Sequence, residues 1–174
     1  MKQLLTYSFL LFTFLASAQV KNIFDIARKG NLQEIQEIYK NNPASIDSLD
    51  EKKSSPLLLA CYRGNTDVAL FLADKTKNIN YNSGMGTALM AAVMSGNTTI
   101  VAKLIAIKAD LNLADTSGKT ALIYATFFNK TDIVKLLLQA GVDKNAKDVD
   151  NRTALDYANF NKNTELIILL NKQP

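Results

Sequence analysis

Acidic side chains are the groups in this sequence whose type and spacing could do chemistry. Asp47, Asp50 and Glu51 form one cluster, and Asp148 and Asp150 form a second. Paired carboxylates serve as acid and base in glycosidases, where they flank a bound substrate. Such chemistry needs a cleft, whereas both clusters lie in short polar segments typical of turns. We therefore interpret them as solvated turns and predict no catalytic residue.

The rest of the composition narrows the possible chemistry further. The chain of 174 residues contains no histidine and a single cysteine, Cys61. Neither Ser–His nor Cys–His nucleophilic pairs can form, and the usual zinc and iron ligand sets cannot be assembled. We expect no enzyme, no metal and no cofactor. Cys61 lies between apolar residues, which predicts a small buried side chain; an intermolecular disulfide is the alternative.

The first 18 residues have the pattern of a cleavable secretory signal. Lys2 precedes an apolar run from Leu4 to Leu15, and Ala16-Ser17-Ala18 supplies a small-residue cleavage site. The run is shorter than the roughly 20 apolar residues that span a bilayer. We predict an exported domain of residues 19–174, periplasmic in a bacterium and otherwise secreted, with no membrane attachment after cleavage.

The charge pattern argues against nucleic acid as a partner. The whole chain has a net charge of +4 and is 48% apolar and 21% charged, which is typical of one globular domain. Lysines are spread along the chain with acidic residues among them. This pattern favours a solvated surface over a basic stripe.

The chain repeats itself about every 33 residues. Four aligned segments have Ser55, Thr87, Thr120 and Thr153 at the same place, separated by 32, 33 and 33 positions. A fainter copy begins at Lys21. The predicted units are 21–53, 54–85, 86–118, 119–151 and 152–174.

Each unit contains two apolar runs at helical spacing, joined by a tight turn. We predict Ser or Thr as the cap of each first helix, and Thr66-Asp67 and Thr131-Asp132 as caps of second helices. The Asn-, Asp- and Gly-rich links between units predict small hairpins. Isolated units cannot bury their apolar faces, so the fold class predicted is an all-α solenoid of about five helix-turn-helix units.

The opening of each unit resembles the ankyrin repeat, a family with units of about 33 residues and a T-P-L-H-x-A signature. The matching residues are Ser55-Pro56-Leu57 with Ala60, Thr87-Ala88-Leu89 with Ala92, Thr120-Ala121-Leu122 with Ala125, and Thr153-Ala154-Leu155 with Ala158. The family's turn glycine matches Gly64 and Gly96, while Asn129 and Lys162 replace it.

The signature histidine is absent from every unit. Leu58, Met90, Ile123 and Asp156 stand in its place. Any hydrogen bond that the imidazole would make between units is therefore missing. We expect the stack to depend more on apolar packing.

The resemblance implies a binding surface on the concave side, formed by the two positions before each turn glycine. Adjacent helical residues point about 100° apart, so Phe127 and Phe128 cannot both lie in one narrow buried stripe. Rings that fill gaps between stacked helices are the alternative. The predicted partner-binding residues are Tyr62, Arg63, Met94, Phe127, Phe128 and Phe160, with link tips as a polar rim: Glu51, Lys52, Thr116, Ser117, Lys119, Val149, Asp150 and Arg152.

Two functions of different class remain open on the sequence. The resemblance favours a monomeric, non-catalytic module that binds another exported protein, which it could inhibit, protect or assemble. The alternative is a carrier that holds an apolar small molecule or peptide in the concave groove.

Overall fold

The structure, a computed structural model, describes residues 22–172. Within that range the chain folds into ten α-helices arranged as five pairs, as the all-α solenoid prediction requires. The predicted signal sequence lies outside the described residues. The first helices of the pairs are α1 (Ile23–Lys29), α3 (Pro56–Arg63), α5 (Ala88–Ser95), α7 (Ala121–Phe127) and α9 (Ala154–Phe160). The second helices are α2 (Leu32–Asn41), α4 (Thr66–Lys75), α6 (Thr98–Ala106), α8 (Thr131–Gln139) and α10 (Thr164–Asn171), and a 3-10 helix, Pro43–Asp47, follows α2.

The helices form two layers that share one core. Each first helix packs on the next first helix, and each second helix packs on the next second helix. A fully buried alanine lies at the same position of every first helix, so neighbouring helices can approach closely: Ala27, Ala60, Ala92, Ala125 and Ala158. The second helices contribute a matching row of buried aliphatic side chains: Ile35, Val68, Ile100, Ile133 and Leu166.

The predicted Ser or Thr cap is wrong for α1, which Asn22 caps, and is confirmed for α3, α5, α7 and α9. For example, the Ser55 hydroxyl accepts the Leu58 N–H at 3.2 Å and that of Thr120 accepts the Ile123 N–H at 3.3 Å. The prediction for the second helices is wrong by one position, because α4 and α8 begin at Thr66 and Thr131 themselves. In α2, α6 and α10 an asparagine before the helix supplies the cap, since its amide oxygen accepts a free N–H of the first turn: Asn31, Asn97 and Asn163. Within residues 22–172, no side chain caps α4 or α8.

Asparagines also connect neighbouring units, which the sequence reasoning did not anticipate. The Asn97 amide donates to the Thr66 hydroxyl at 2.7 Å, and the Asn163 amide donates to Asn129 Oδ1 at 2.9 Å. In the links, Asn112 Oδ1 accepts the Asp143 N–H of the next unit at 2.9 Å. Apolar packing is therefore not the only replacement for the missing histidine.

Four of the five turns between paired helices contain a residue with a left-handed backbone, whereas Gly30 in the first turn has a φ of −84°. Gly64 and Gly96 have φ values of 67° and 75°. Asn129 and Lys162, which replace glycine, adopt φ values of 54° and 55°. Asparagine tolerates this conformation better than most residues, and lysine does so at some cost in strain.

A buried hydroxyl without a partner offers the first test of this packing. Thr126 is fully buried in α7, and its hydroxyl makes no hydrogen bond with any described residue. Val93 occupies the equivalent position in α5. We expect Thr126→Val to raise the free energy of unfolding by about 1 kcal/mol, since an unpaired buried hydroxyl is destabilising. Urea unfolding followed by circular dichroism measures the change.

Thr120→Val is the matched control for that substitution. The Thr120 hydroxyl caps α7, so its loss should lower the free energy of unfolding by about 1 kcal/mol. A Thr126→Val protein that is no more stable than the wild type would show that the Thr126 hydroxyl finds a partner in solution.

Candidate functional site

The residues predicted to bind a partner lie at the carboxyl ends of the first helices, where most of them are exposed. We call Tyr62, Met94, Phe127, Phe128 and Phe160 the apolar row. The four rings are 52%, 42%, 43% and 79% exposed in chain order, while Met94 is half-buried. Each follows the buried alanine of its helix by two or three positions, which turns the side chain away from the helix contact. None of the four rings is buried between units.

The aromatic residues of α7 and α9 form a connected cluster. Phe127 and Phe128 meet edge to face with centroids 5.0 Å apart, and Phe127 meets Tyr157 in the same way at 5.5 Å. Phe128 stacks on Tyr124 at 6.1 Å. Such pairs contribute about 0.5–1.5 kcal/mol each. Phe127 and Phe128 are therefore held in place from the side while part of each ring remains in solvent.

A cavity of about 490 Å³ lies between Phe127 and Phe160. The other residues that line it are Asn151, Arg152, Asp156 and Tyr157. The volume is within the range of about 300–1,000 Å³ found for ligand sites. The structure thus brings three of the predicted residues, Phe127, Phe160 and Arg152, to one depression.

Tyr62 and Arg63 form a second, separate part of the surface. The guanidinium carbon of Arg63 lies 5.9 Å from the centroid of the Tyr62 ring, a cation–π arrangement. Within residues 22–172, no aromatic contact connects Tyr62 with the cluster at α7 and α9. The half-buried Met94 lies on the helix between them. The predicted surface therefore consists of a polar end at α3 and an aromatic end at α7 and α9.

Lys119 and Arg152, the two predicted rim cations, differ in environment. Lys119 Nζ lies 3.6 Å from a carboxylate oxygen of Asp148, and its side chain is only 22% exposed. Arg152 is exposed at the edge of the cavity. Lys119 is thus engaged with the next link of its own chain, whereas Arg152 faces solvent.

The interpretation of Asp148 as a solvated turn residue is wrong. Its side chain is fully buried and accepts hydrogen bonds from the Tyr157 hydroxyl and from the backbone N–H groups of Asp150 and Arg152, both at 3.0 Å. The carboxylate thus supplies the acceptor for two N–H groups of the link, and through the Tyr157 hydroxyl it joins the link to α9. These contacts occupy the carboxylate and leave it no access to a substrate.

Asp115 has the same structural role one unit earlier. It accepts the Tyr124 hydroxyl at 2.6 Å and the N–H groups of Ser117 and Lys119 at 2.8 and 2.9 Å. Asp115 and Asp148 are 33 residues apart, as are Tyr124 and Tyr157. This shared spacing is the signal in the sequence that could have identified the aspartate–tyrosine pairs.

Burial and hydrogen bonding shift the ionisation of these pairs. Burial by itself would raise the pKa of Asp148, but the hydrogen bonds from Tyr157, Arg152 and Asp150 outweigh it and hold that pKa below its ordinary value. Burial, followed by the hydrogen bond to Asp115, raises the pKa of Tyr124 to about 12. Asp148 therefore remains a carboxylate, and Tyr124 a neutral phenol, throughout the physiological range.

The lowered pKa of Asp148 predicts a loss of stability in acid. In the unfolded chain Asp148 has an ordinary pKa of about 3.9, so its contribution is complete above that pH and is lost as the pH falls through the lower folded value. We expect the free energy of unfolding to fall below about pH 4 in the wild type. The fall should be shallower in Asp148→Asn, because one carboxylate with a lowered folded pKa is gone. Urea unfolding at a series of pH values measures both curves.

Asp67→Asn, an exposed change in the first turn of α4, is the control. Its acid limb should keep the slope of the wild type. Identical acid limbs in the wild type and Asp148→Asn would contradict the role given to the buried carboxylate.

The fold and surface define a class of protein: an α-helical repeat solenoid with an exposed apolar row on its first helices. A family model described as "Ankyrin repeats (3 copies)" matches residues 23–115 and again residues 89–173. The chain therefore belongs to the ankyrin-repeat family, as the resemblance in the sequence indicated. Ankyrin repeats generally mediate protein–protein interactions and are typically non-catalytic.

Several curated proteins share part of this sequence. Ankyrin repeat and SAM domain-containing protein 6 of Rattus norvegicus is 31% identical over 99 residues, which cover 56% of this chain and 11% of that protein. The 26S proteasome non-ATPase regulatory subunit 10 of Dictyostelium discoideum is 32% identical over 92 residues, covering 51% and 39%. Inactive serine/threonine-protein kinase TEX14 of Mus musculus is 29% identical over 111 residues, covering 63% and 8%. This chain therefore spans less than half the length of each relative.

Two further observations apply to residues 22–172 alone. No helix there has the length and apolar character needed to cross a membrane. No group of three or more His, Cys, Asp or Glu side chains in that range is placed to hold a metal ion.

Proposed function

We propose that this chain is a non-catalytic module that binds another exported protein through the apolar row and the neighbouring link tips. The observation that carries the proposal is the group of exposed rings Phe127, Phe128 and Phe160, of which Phe127 and Phe128 are held by ring contacts. Contiguous exposed apolar patches commonly mark interfaces, where aromatic residues and arginine are enriched. The relative from Dictyostelium discoideum is by name a subunit of a larger protein assembly, which is consistent with a protein partner.

The export of the module and of its partner is part of the proposal. It is supported by the signal-like pattern of residues 1–18. In the compartment that it reaches, the module would inhibit, protect or assemble its partner. Recovery of the protein from the exported fraction, with Gln19 as its first residue, is the expected result. Recovery from the cytosol with Met1 retained would contradict export and leave the binding surface to be tested separately.

Affinity capture with matched variants tests the binding surface. Tagged wild type, Phe160→Ala and Ile168→Ala would be incubated with the exported fraction of the native source, and the retained proteins identified by mass spectrometry. Phe160 is 79% exposed in the apolar row, and Ile168 is 53% exposed on α10 in the other layer. We expect a protein that the wild type and Ile168→Ala retain and Phe160→Ala loses. Equal retention by all three would contradict the proposal.

A carrier of an apolar small molecule is the second candidate function. The cavity beside Phe127, Tyr157 and Phe160 favours the carrier function. Its volume suits a small ligand, and three of the residues that line it are aromatic. The mass of the natively purified protein separates the two candidates. A bound lipid or cofactor would support the carrier, and a stoichiometric protein would support the binding module.

A further inference from the structure

We infer that the partner presents an extended acidic segment, with a carboxylate that pairs with Arg63 and an apolar side chain that enters the cavity between Phe127 and Phe160. The inference rests on the proposed function and adds the chemistry of the partner. It follows from the charges at one end of the surface, the neutrality of the other end and the distance between them.

The end of the surface formed by α1 and α3 presents two exposed basic side chains, Lys29 and Arg63. Its carboxylates Asp25 and Asp50 lie 3.7 and 3.0 Å from the guanidinium of Arg28, so both already have a cation of this chain beside them. Lys29 and Arg63 are exposed, and neither forms an ion pair with a carboxylate of residues 22–172. A partner carboxylate is the group that complements this end.

Arg63 is oriented by its neighbour. The Tyr62 ring lies 5.9 Å from the guanidinium carbon, so the planar group rests near an aromatic surface. Arginine in such a position can donate two parallel hydrogen bonds to one carboxylate. An acidic side chain of the partner therefore meets a partly pre-organised fork of donors.

The cavity at the other end suits an apolar side chain. The rings of Phe127, Tyr157 and Phe160 line it, and its two charged residues, Arg152 and Asp156, have opposite signs. The Asp156 carboxylate already accepts the backbone N–H and the hydroxyl of Thr153, at 2.8 and 2.7 Å. The cavity thus has little net charge, and burial of apolar surface is its main attraction.

The spacing of the two ends sets the length of the segment. Arg63 ends α3, and the cavity lies between α7 and α9, two to three helices further along the first-helix layer. Packed helices are about 8–10 Å apart, which gives roughly 20–30 Å between the two ends. An extended chain advances about 3.4 Å per residue. About six to nine residues therefore separate the carboxylate from the apolar anchor.

Selection from a random peptide library displayed on phage tests the inference without knowledge of the natural partner. The purified protein is the bait, and a synthetic, labelled copy of the most enriched peptide is then titrated by fluorescence anisotropy. We expect enriched peptides with Asp or Glu toward one end and a large apolar residue about six to nine positions away. Binding should weaken about tenfold or more in Arg63→Glu and in Phe160→Ala, and remain unchanged in Ile168→Ala.

The outcomes separate this inference from the proposed function. Enriched peptides rich in Lys or Arg, or affinity that is indifferent to Arg63→Glu but still lowered by Phe160→Ala, would overturn the acidic segment and leave the binding surface standing. Failure to enrich any peptide would also overturn it, since an extended segment should be selectable. Peptide binding that is indifferent to both Arg63 and Phe160 would count against the acidic segment and the proposed surface together.

Discussion

Replacing Phe127 and Phe128 together by alanine is expected to weaken binding of the captured partner by about two to three orders of magnitude. A well-buried aromatic anchor typically contributes about 2 kcal/mol to an interface, and a tenfold change in affinity corresponds to about 1.4 kcal/mol. The two rings touch each other at 5.0 Å, so their effects should not be strictly additive. Isothermal titration calorimetry with the purified partner measures the loss.

The fold should survive this double substitution. Both rings are more than two-fifths exposed, and α7 is anchored in the core by Leu122, Ile123 and Ala125. Loss of the three ring contacts that Phe127 and Phe128 make with each other, with Tyr124 and with Tyr157 should lower the free energy of unfolding by about 3 kcal/mol, less than the roughly 5–15 kcal/mol typical of a folded domain. The helical circular dichroism signal should therefore be retained at room temperature, so that lost binding reports on the surface.

A double substitution in the other layer provides the matched control. Leu32 on α2 and Ile168 on α10 are 38% and 53% exposed, similar to the two phenylalanines. Leu32→Ala with Ile168→Ala removes comparable exposed apolar surface from the second helices and should leave affinity unchanged. Unchanged affinity in the phenylalanine variant, or an equal loss in both variants, would exclude the apolar row as the binding surface.

The stacked helices could be predicted from the sequence because their causes are local and periodic. Alanine recurs at the helix contact as Ala60, Ala92, Ala125 and Ala158, and each recurrence follows a Ser or Thr cap. The sequence predicted only that Phe127 and Phe128 could not both be buried in one stripe. In the structure both rings are exposed. Their contacts with Tyr124 and Tyr157 depend on the neighbouring turn and unit, which local periodicity does not contain.

The role of Asp148 could not be inferred from local composition. Its link is polar and looks solvated, but Lys119 from the previous link and Tyr157 from the following helix together enclose the carboxylate. Only the alignment of whole units reveals the recurring aspartate. The division of the site into two ends could not be predicted either. It depends on the burial of Met94, which is set by how closely the neighbouring helices pack.

Gly118→Ala is expected to lower the free energy of unfolding by about 3 kcal/mol. Gly118 has a φ of 73°, a left-handed conformation that costs other residues about 1–2 kcal/mol. An added Cβ would lie 2.9 Å from both Asp148 Cα and Val149 N, which are backbone atoms of the next link. Relief of this overlap would stretch the hydrogen bond from the Val149 N–H to the Ser117 carbonyl, now 3.0 Å long. Urea unfolding followed by circular dichroism measures the loss.

Gly141→Ala separates close approach from backbone strain. Gly141 has a φ of 81°, but no atom lies within 4 Å of its added Cβ. This control should lower the free energy of unfolding by only about 1 kcal/mol, through strain alone. Equal losses in the two variants would show that the link contact at Gly118 contributes nothing.

Gly118→Ala should also weaken partner binding, because the link that Gly118 contacts continues to Arg152 in the wall of the cavity. Asp148 fixes the backbone at Arg152, and Arg152 lines the cavity beside Phe160. A link displaced by the new methyl group would move Arg152 and Tyr157 relative to Phe127.

Stability in repeat proteins comes largely from contacts between neighbouring units, so Gly118→Ala should also broaden the unfolding transition. A stable Gly118→Ala protein with a sharp transition and full affinity would show that the links are not coupled to the site.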